Sequence, residues 1–120
     1  MTAKRQKAYH WGIEAEKFAA WFLRMKGYHI IAERYRNSQG EIDILARKGN
    51  LVAAVEVKAR KSFEECAETV TPFKQQKIAR AVELAIAELA ELQGHDIRFD
   101  VIWIAPRKWP HHIEDAWRMS

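Results

Sequence analysis

"GEIDILARKGNLVAAVEVKAR", residues 40–60, decides how this chain is read. Val, Ile and Leu crowd both sides of Gly49-Asn50, a pair suited to the two-residue loop of a tight β-hairpin. Taking that pair as the loop sets Lys48 against Leu51. Counting back along both strands then sets Asp43 against Glu56 and Glu41 against Lys58. Side chains alternate across a strand, so this register puts all four charged groups on one face. A three-residue loop over 48–50 would instead send Asp43 and Glu56 to opposite faces.

Like charges opposed across a ladder are destabilising, and Ile42, Ile44, Leu45, Val52, Val55 and Val57 leave little water to screen them. A divalent cation between Asp43 and Glu56 would compensate, because hard ions such as Mg²⁺ take carboxylate oxygens and keep waters in their other positions. The plainer alternative is a solvated strand face on which Glu41 and Lys58 form an ion pair of small energetic value. The apolar surroundings favour the metal site over that alternative.

On the N-terminal side, "WGIEAEKFAAWFLRMK" (11–26) reads as a helix closed by Gly27. On that helix Glu16 falls on a stripe of small and apolar residues with Gly12, Ala19, Ala20 and Leu23. A carboxylate there is either buried and satisfied locally or a third acidic group for the hairpin site. "YHIIAERYR" reads as a strand and "NSQG" as a turn. On the C-terminal side, residues 61–70 read as an irregular link. Thr71-Pro72 then opens a second helix carrying Ile78, Ala81, Val82, Ala85, Leu89 and Leu92 at helical spacing until Gly94. Residues 97–105 read as a buried strand ended by Pro106, and residues 107–117 have no assignment. Asp100 reads as a structural ion-pair partner, and His111-His112 as surface histidines without a third ligand at a recognisable spacing.

The 120 residues, 48% hydrophobic and 30% charged, suit one α/β domain over 1–120, a mixed sheet flanked by helices. Residues 1–10, with Lys4, Arg5 and Lys7, read as a basic, mobile arm. A formal charge of +4 makes a polyanion a reasonable partner. Cys66 is the single cysteine, and no apolar run has the length of a signal peptide or membrane span, so the expected location is the cytoplasm.

Asp43 followed by Glu56-x-Lys58, with Glu16 on the preceding helix, resembles the PD-(D/E)xK nuclease pattern. Through "AEKFAAWFL", "GEIDILA", "VEVKAR" and "RFDV", the chain from Gly12 to Trp117 resembles the bacterial YraN family of endonuclease-like proteins. Arg34 stands where that family usually has asparagine. The resemblance implies a restriction-endonuclease-like fold, with Glu16, Asp43, Glu56 and Lys58 as catalytic residues. It implies a Mg²⁺ or Mn²⁺ site made by Asp43, Glu56, Glu16 and the Val57 carbonyl. The expected activity is metal-assisted hydrolysis of phosphodiester bonds in DNA, branched DNA included, with Lys58 as a positioning cation. Arg36, Arg60, Lys61, Lys74 and Lys77, with Arg80, are the expected phosphate contacts, against the alternative that such side chains only solvate the surface. A homodimer, a non-catalytic nucleic-acid-binding module and a protein-interaction subunit stay open alongside.

Overall fold

The computed structural model describes residues 3–62 and 70–119, with side chains from Trp11 onward. Helix α1 (Ala3–Met25) is followed by strands β1 (His29–Asn37), β2 (Gly40–Lys48) and β3 (Leu51–Ala59). Helix α2 (Pro72–Glu88), a 3-10 turn (Ala90–Leu92), and strands β4 (Asp96–Ile104) and β5 (His111–Trp117) complete the order. Cys66 and most of the expected link lie outside the described residues. The helix backbone begins at Ala3, so most of the segment expected as an arm continues α1.

Local chemistry accounts for the boundaries. Gly27, at φ +94°, supplies the left-handed turn that ends α1, and the Tyr28 N–H returns to Leu23 O at 3.0 Å. Asn37 Oδ1 accepts from the backbone of Gln39 (2.9 Å) and Gly40 (3.3 Å), closing the β1–β2 turn. Thr71 caps α2 by accepting the Lys74 N–H at 3.2 Å, with Pro72 in the first turn where no N–H is needed. The α-helix ends at Glu88, so Leu92 is reached through the 3-10 turn.

The sheet runs β1-β2-β3-β4-β5, antiparallel except for the parallel pair β3/β4, whose crossover contains α2. Residues 107–117, unassigned from sequence, supply β5 as an edge strand. Each face carries one helix. α1 lays Ala15, Ala19, Ala20 and Leu23 on Ile44, Ala46, Ala53 and Val55, while α2 lays Ile78, Ala81, Val82 and Ala85 on Ile42, Leu45, Val52 and Ala54. Cover on both faces explains why β2 and β3 read as near-continuous apolar runs instead of alternating. It also explains why charges placed on them cost so much. This mixed sheet between two helices is consistent with the restriction-endonuclease-like fold.

Candidate active site

The hairpin register is the expected one: Lys48 pairs with Leu51, Arg47 with Val52, and so on to Ile44 with Val55. Gly49 takes φ +60°, as the two-residue loop requires. Beyond Ile44 the strands part. β2 continues along β1 through Arg36 opposite Glu41, whereas β3 continues along β4. Ile42 joins the α2-side core although Ile44, two residues on, belongs to the α1 side, so the alternation of β2 breaks at Asp43.

Side chains replace the ladder in the fork. Asp43 Oδ2 accepts the Val57 N–H at 2.9 Å, and Glu56 Oε2 faces the Asp43 N–H at 3.4 Å. The expected four-residue face is therefore corrected at one end. Asp43 and Glu56 do meet, but Glu41 pairs with Arg36 (3.2 Å) and not with Lys58.

Because the sheet opens here, groups from both helices reach one cleft of about 360 Å³. Glu16 comes from α1, Arg34 from β1, Asp43 and Glu56 from the fork, and Lys74 and Lys77 from α2. Arg34 Nε lies 2.9 Å from Glu16 Oε2, and Lys74 Nζ 3.3 Å from Glu56 Oε1. Glu56 is 3% exposed. Burial, then the Asp43 charge beside it, pushes its carboxyl up to about 7, with Lys74 opposing. Burial also raises Asp43, against the Val57 N–H and the Lys74 charge, and raises Glu16 together with the Asp43 charge. Burial is the largest cause of all three shifts, and with Glu41 the cleft lining carries four carboxylates against the three cations Arg34, Lys74 and Lys77.

Lys58 is not among the cleft-lining residues and borders a neighbouring cavity instead. Lys74 is the lysine that touches Glu56. Of the other expected phosphate contacts, Lys77 lines the cleft, whereas Arg36, Arg60, Lys61 and Arg80 are exposed outside its lining. Sequence reasoning missed Arg34. Counting from the Ser38-Gln39 turn, as was done from Gly49-Asn50, would have found it: Glu33 pairs with Ile44 and Tyr35 with Ile42, which sets Arg34 beside Asp43. Its φ of +52° is unfavourable for a long side chain and suits asparagine or glycine.

A family model described as "Uncharacterised protein family UPF0102" matches residues 15–104, which include Glu16, Asp43, Glu56 and Lys58. The chain belongs to UPF0102, the YraN family. It is 47% identical over 119 residues to a UPF0102 protein of Bradyrhizobium diazoefficiens, covering 99% of this chain and 90% of that one. A UPF0102 protein of Bartonella tribocorum is 44% identical over 110 residues (92% and 85%). One of Paramagnetospirillum magneticum is 43% identical over 119 residues (96% and 92%).

The UPF0102 chain as it stands gathers no three His, Cys, Asp or Glu side chains in metal-holding geometry among the described residues. Its donor set nonetheless suits a hard cation. Asp43 and Glu56 offer carboxylate oxygens whose charge is under-compensated, and Mg²⁺ needs only one or two carboxylates besides its waters. Among the described residues no helix is long and apolar enough to cross a membrane.

A second polar cluster in this UPF0102 chain lies on β4. Asp100, 0% exposed, accepts two hydrogen bonds from Arg98 (both 2.7 Å) and one from the Asp115 N–H (3.0 Å). His112 Nε2 lies 2.8 Å from its Oδ2. Lys26 Nζ sits 2.6 Å from His112 Nδ1 and can only donate, so Nε2 carries the proton given to Asp100. The expectation of a structural role for Asp100 holds. His112, expected at the surface, has a 2% exposed side chain, because β5 places it against β4.

Proposed function

We propose that this protein is a divalent-metal-dependent nuclease hydrolysing phosphodiester bonds in DNA, branched or otherwise structured DNA included, in the cytoplasm. The observation that carries the reading is the meeting of Asp43 and Glu56 in the β2/β3 fork, buried, close and short of positive charge. Asp43, Glu56, Glu16 and the Val57 carbonyl would hold Mg²⁺ or Mn²⁺. The ion would supply Lewis acidity at the phosphate and a more acidic bound water.

The chain's own groups do the rest. The Val57 N–H fixes the Asp43 carboxylate in the fork. Arg34 orients Glu16. Lys74 and Lys77, on the cleft wall, would meet phosphate oxygens, and Lys58, on the wall of the neighbouring cavity, would position a phosphate oxygen outside the cleft. Arg36, Arg60 and Lys61 would extend phosphate contact outside it, making affinity fall with salt.

One observation favours a second reading, a non-catalytic nucleic-acid-binding module or interaction subunit that keeps the fold. Lys74 and Arg34 already stand against Glu56 and Glu16 without an ion. The deciding experiment is cleavage of linear, flapped and four-way-branched DNA with Mg²⁺ or Mn²⁺, beside Asp43→Asn and Glu56→Gln. Cleavage by wild type that falls in both variants by more than about 100-fold supports the nuclease. DNA affinity should persist in both. Wild-type protein that cleaves none of these, with no divalent-ion binding by calorimetry, returns the reading to the module.

A further inference from the structure

Lys74 stands in the first turn of α2, where a cation works against the helix dipole and where the helix carries no acidic residue to offset it. Its backbone N–H is tied to Thr71 Oγ1 at 3.2 Å, so the main chain is fixed and only the side chain can travel. That side chain is 57% exposed, whereas the Glu56 side chain it meets at 3.3 Å is 4% exposed. The pair therefore has one movable member.

Both oxygens of Glu56 are engaged. Oε1 takes the Lys74 ammonium, and Oε2 faces the Asp43 N–H. The N–H belongs to β2 and stays, whereas the ammonium ends a flexible four-carbon stem and can leave. Its charge opposes the upward shift of Asp43 as well as that of Glu56, so it acts on both acids of the fork. A divalent cation joining the two carboxylates needs the same oxygen and supplies charge of the same sign. Two cations at one carboxylate oxygen repel each other.

We propose that Lys74 is the exchangeable counterion of the fork: it holds Glu56 until a divalent cation takes its place, and then turns to a phosphate oxygen at the mouth of the cleft. The inference rests on the nuclease reading and adds regulation to its metal site. Metal and nucleic acid are thereby coupled. A phosphate that draws Lys74 away opens Glu56 to the ion, and an ion that displaces Lys74 releases it to the phosphate, by the same factor in both directions. Lys77, three residues on and also on the cleft lining, has its ammonium 5.0 Å from the Phe73 ring centroid and takes no part in the exchange.

The test is the Mn²⁺ affinity of the DNA-free protein at physiological salt, read from the electron paramagnetic resonance signal of unbound ion, so that cleavage plays no part. Lys74→Gln should bind Mn²⁺ about tenfold more tightly than wild type, the scale of one lost hydrogen bond to a charged group. Lys74→Arg restores a counterion and should return to the wild-type affinity or weaker. Lys77→Gln removes the same charge from the cleft lining without touching Glu56, and should change the affinity by less than about twofold. Unchanged affinity in Lys74→Gln, equal tightening in Lys77→Gln, or a Lys74→Arg protein as tight as Lys74→Gln overturns the exchange and leaves the nuclease reading standing. Failure of wild type and of all three variants to bind Mn²⁺ overturns the exchange together with that reading.

Discussion

Glu56 on β3 and Asp100 on β4 are equally buried, at 3% and 0% exposure, and are held in opposite states. Burial alone would raise both. For Asp100 that effect is outweighed by His112, both arms of the Arg98 fork and the Asp115 N–H, and its carboxyl drops to about 2. Glu56 has one ammonium at 3.3 Å, one N–H at 3.4 Å and a carboxylate for a neighbour, and it rises to about 7. The difference lies in the surroundings: Asp100 is ringed by donors that hold its charge, whereas Glu56 shares its burial with a second acid, the kind of environment in which strongly perturbed acids cluster at functional sites.

The comparison breaks most visibly at Asp100. Asp100→Ala leaves Arg98 and His112 buried without their partner and should lower unfolding free energy by about 3–5 kcal/mol, read from urea denaturation. With domain stabilities of about 5–15 kcal/mol, that is a large share. Glu56→Gln should do the reverse at pH 8, raising the melting temperature while cleavage is lost. A buried like-charge contact disappears, although so does the Lys74 pair. A Glu56→Gln protein less stable than wild type at pH 8 would show the fork to be a satisfied structural pair.

The pH dependences should run in opposite directions. Glu56 titrates higher in the folded chain than its ordinary value of 4.5, so its contribution is fully present below pH 4.5 and is lost as pH rises through about 7. Asp100 titrates lower than its ordinary value of 3.8, so its contribution is present above pH 3.8 and is lost as pH falls through about 2. Gln and Asn mimic the protonated acids, so the stability profiles of Glu56→Gln and Asp100→Asn should both converge on wild type at the acidic end and part from it in opposite directions as pH rises, Glu56→Gln to greater stability and Asp100→Asn to less. Smallest of all, Arg36→Ala removes an exposed pair with Glu41. It should move the denaturation midpoint by no more than the roughly 0–1 kcal/mol of such pairs, while reducing the salt slope of DNA binding.

The sequence was most informative where interactions are local. Gly49-Asn50 set the hairpin register, and that register brought Asp43 to Glu56. Thr71-Pro72 marked the start of α2, and the spacing of Ile78, Ala81, Val82 and Ala85 marked its buried face. Where strands pair at long range it was weak. The stretch 107–117 is too short and mixed in composition to assign from sequence, and its strand state depends on pairing with β4. His112 looked like a surface histidine because nothing near it in sequence reveals Asp100 and Lys26, its partners across the sheet and from the α1–β1 turn.

By itself the sequence determined both helices and the strands up to β4, the apolar faces of these elements and the two carboxylates that must meet, since these follow from periodicity and from a turn only two residues long. Tertiary structure decided which cations answer those carboxylates. Arg34 and Lys74, rather than Lys58, line the cleft because β2 leaves β3 at Ile44. Through that opening a helix on each side of the sheet reaches the same space, a geometry that depends on distant chain segments and has no local sequence signature.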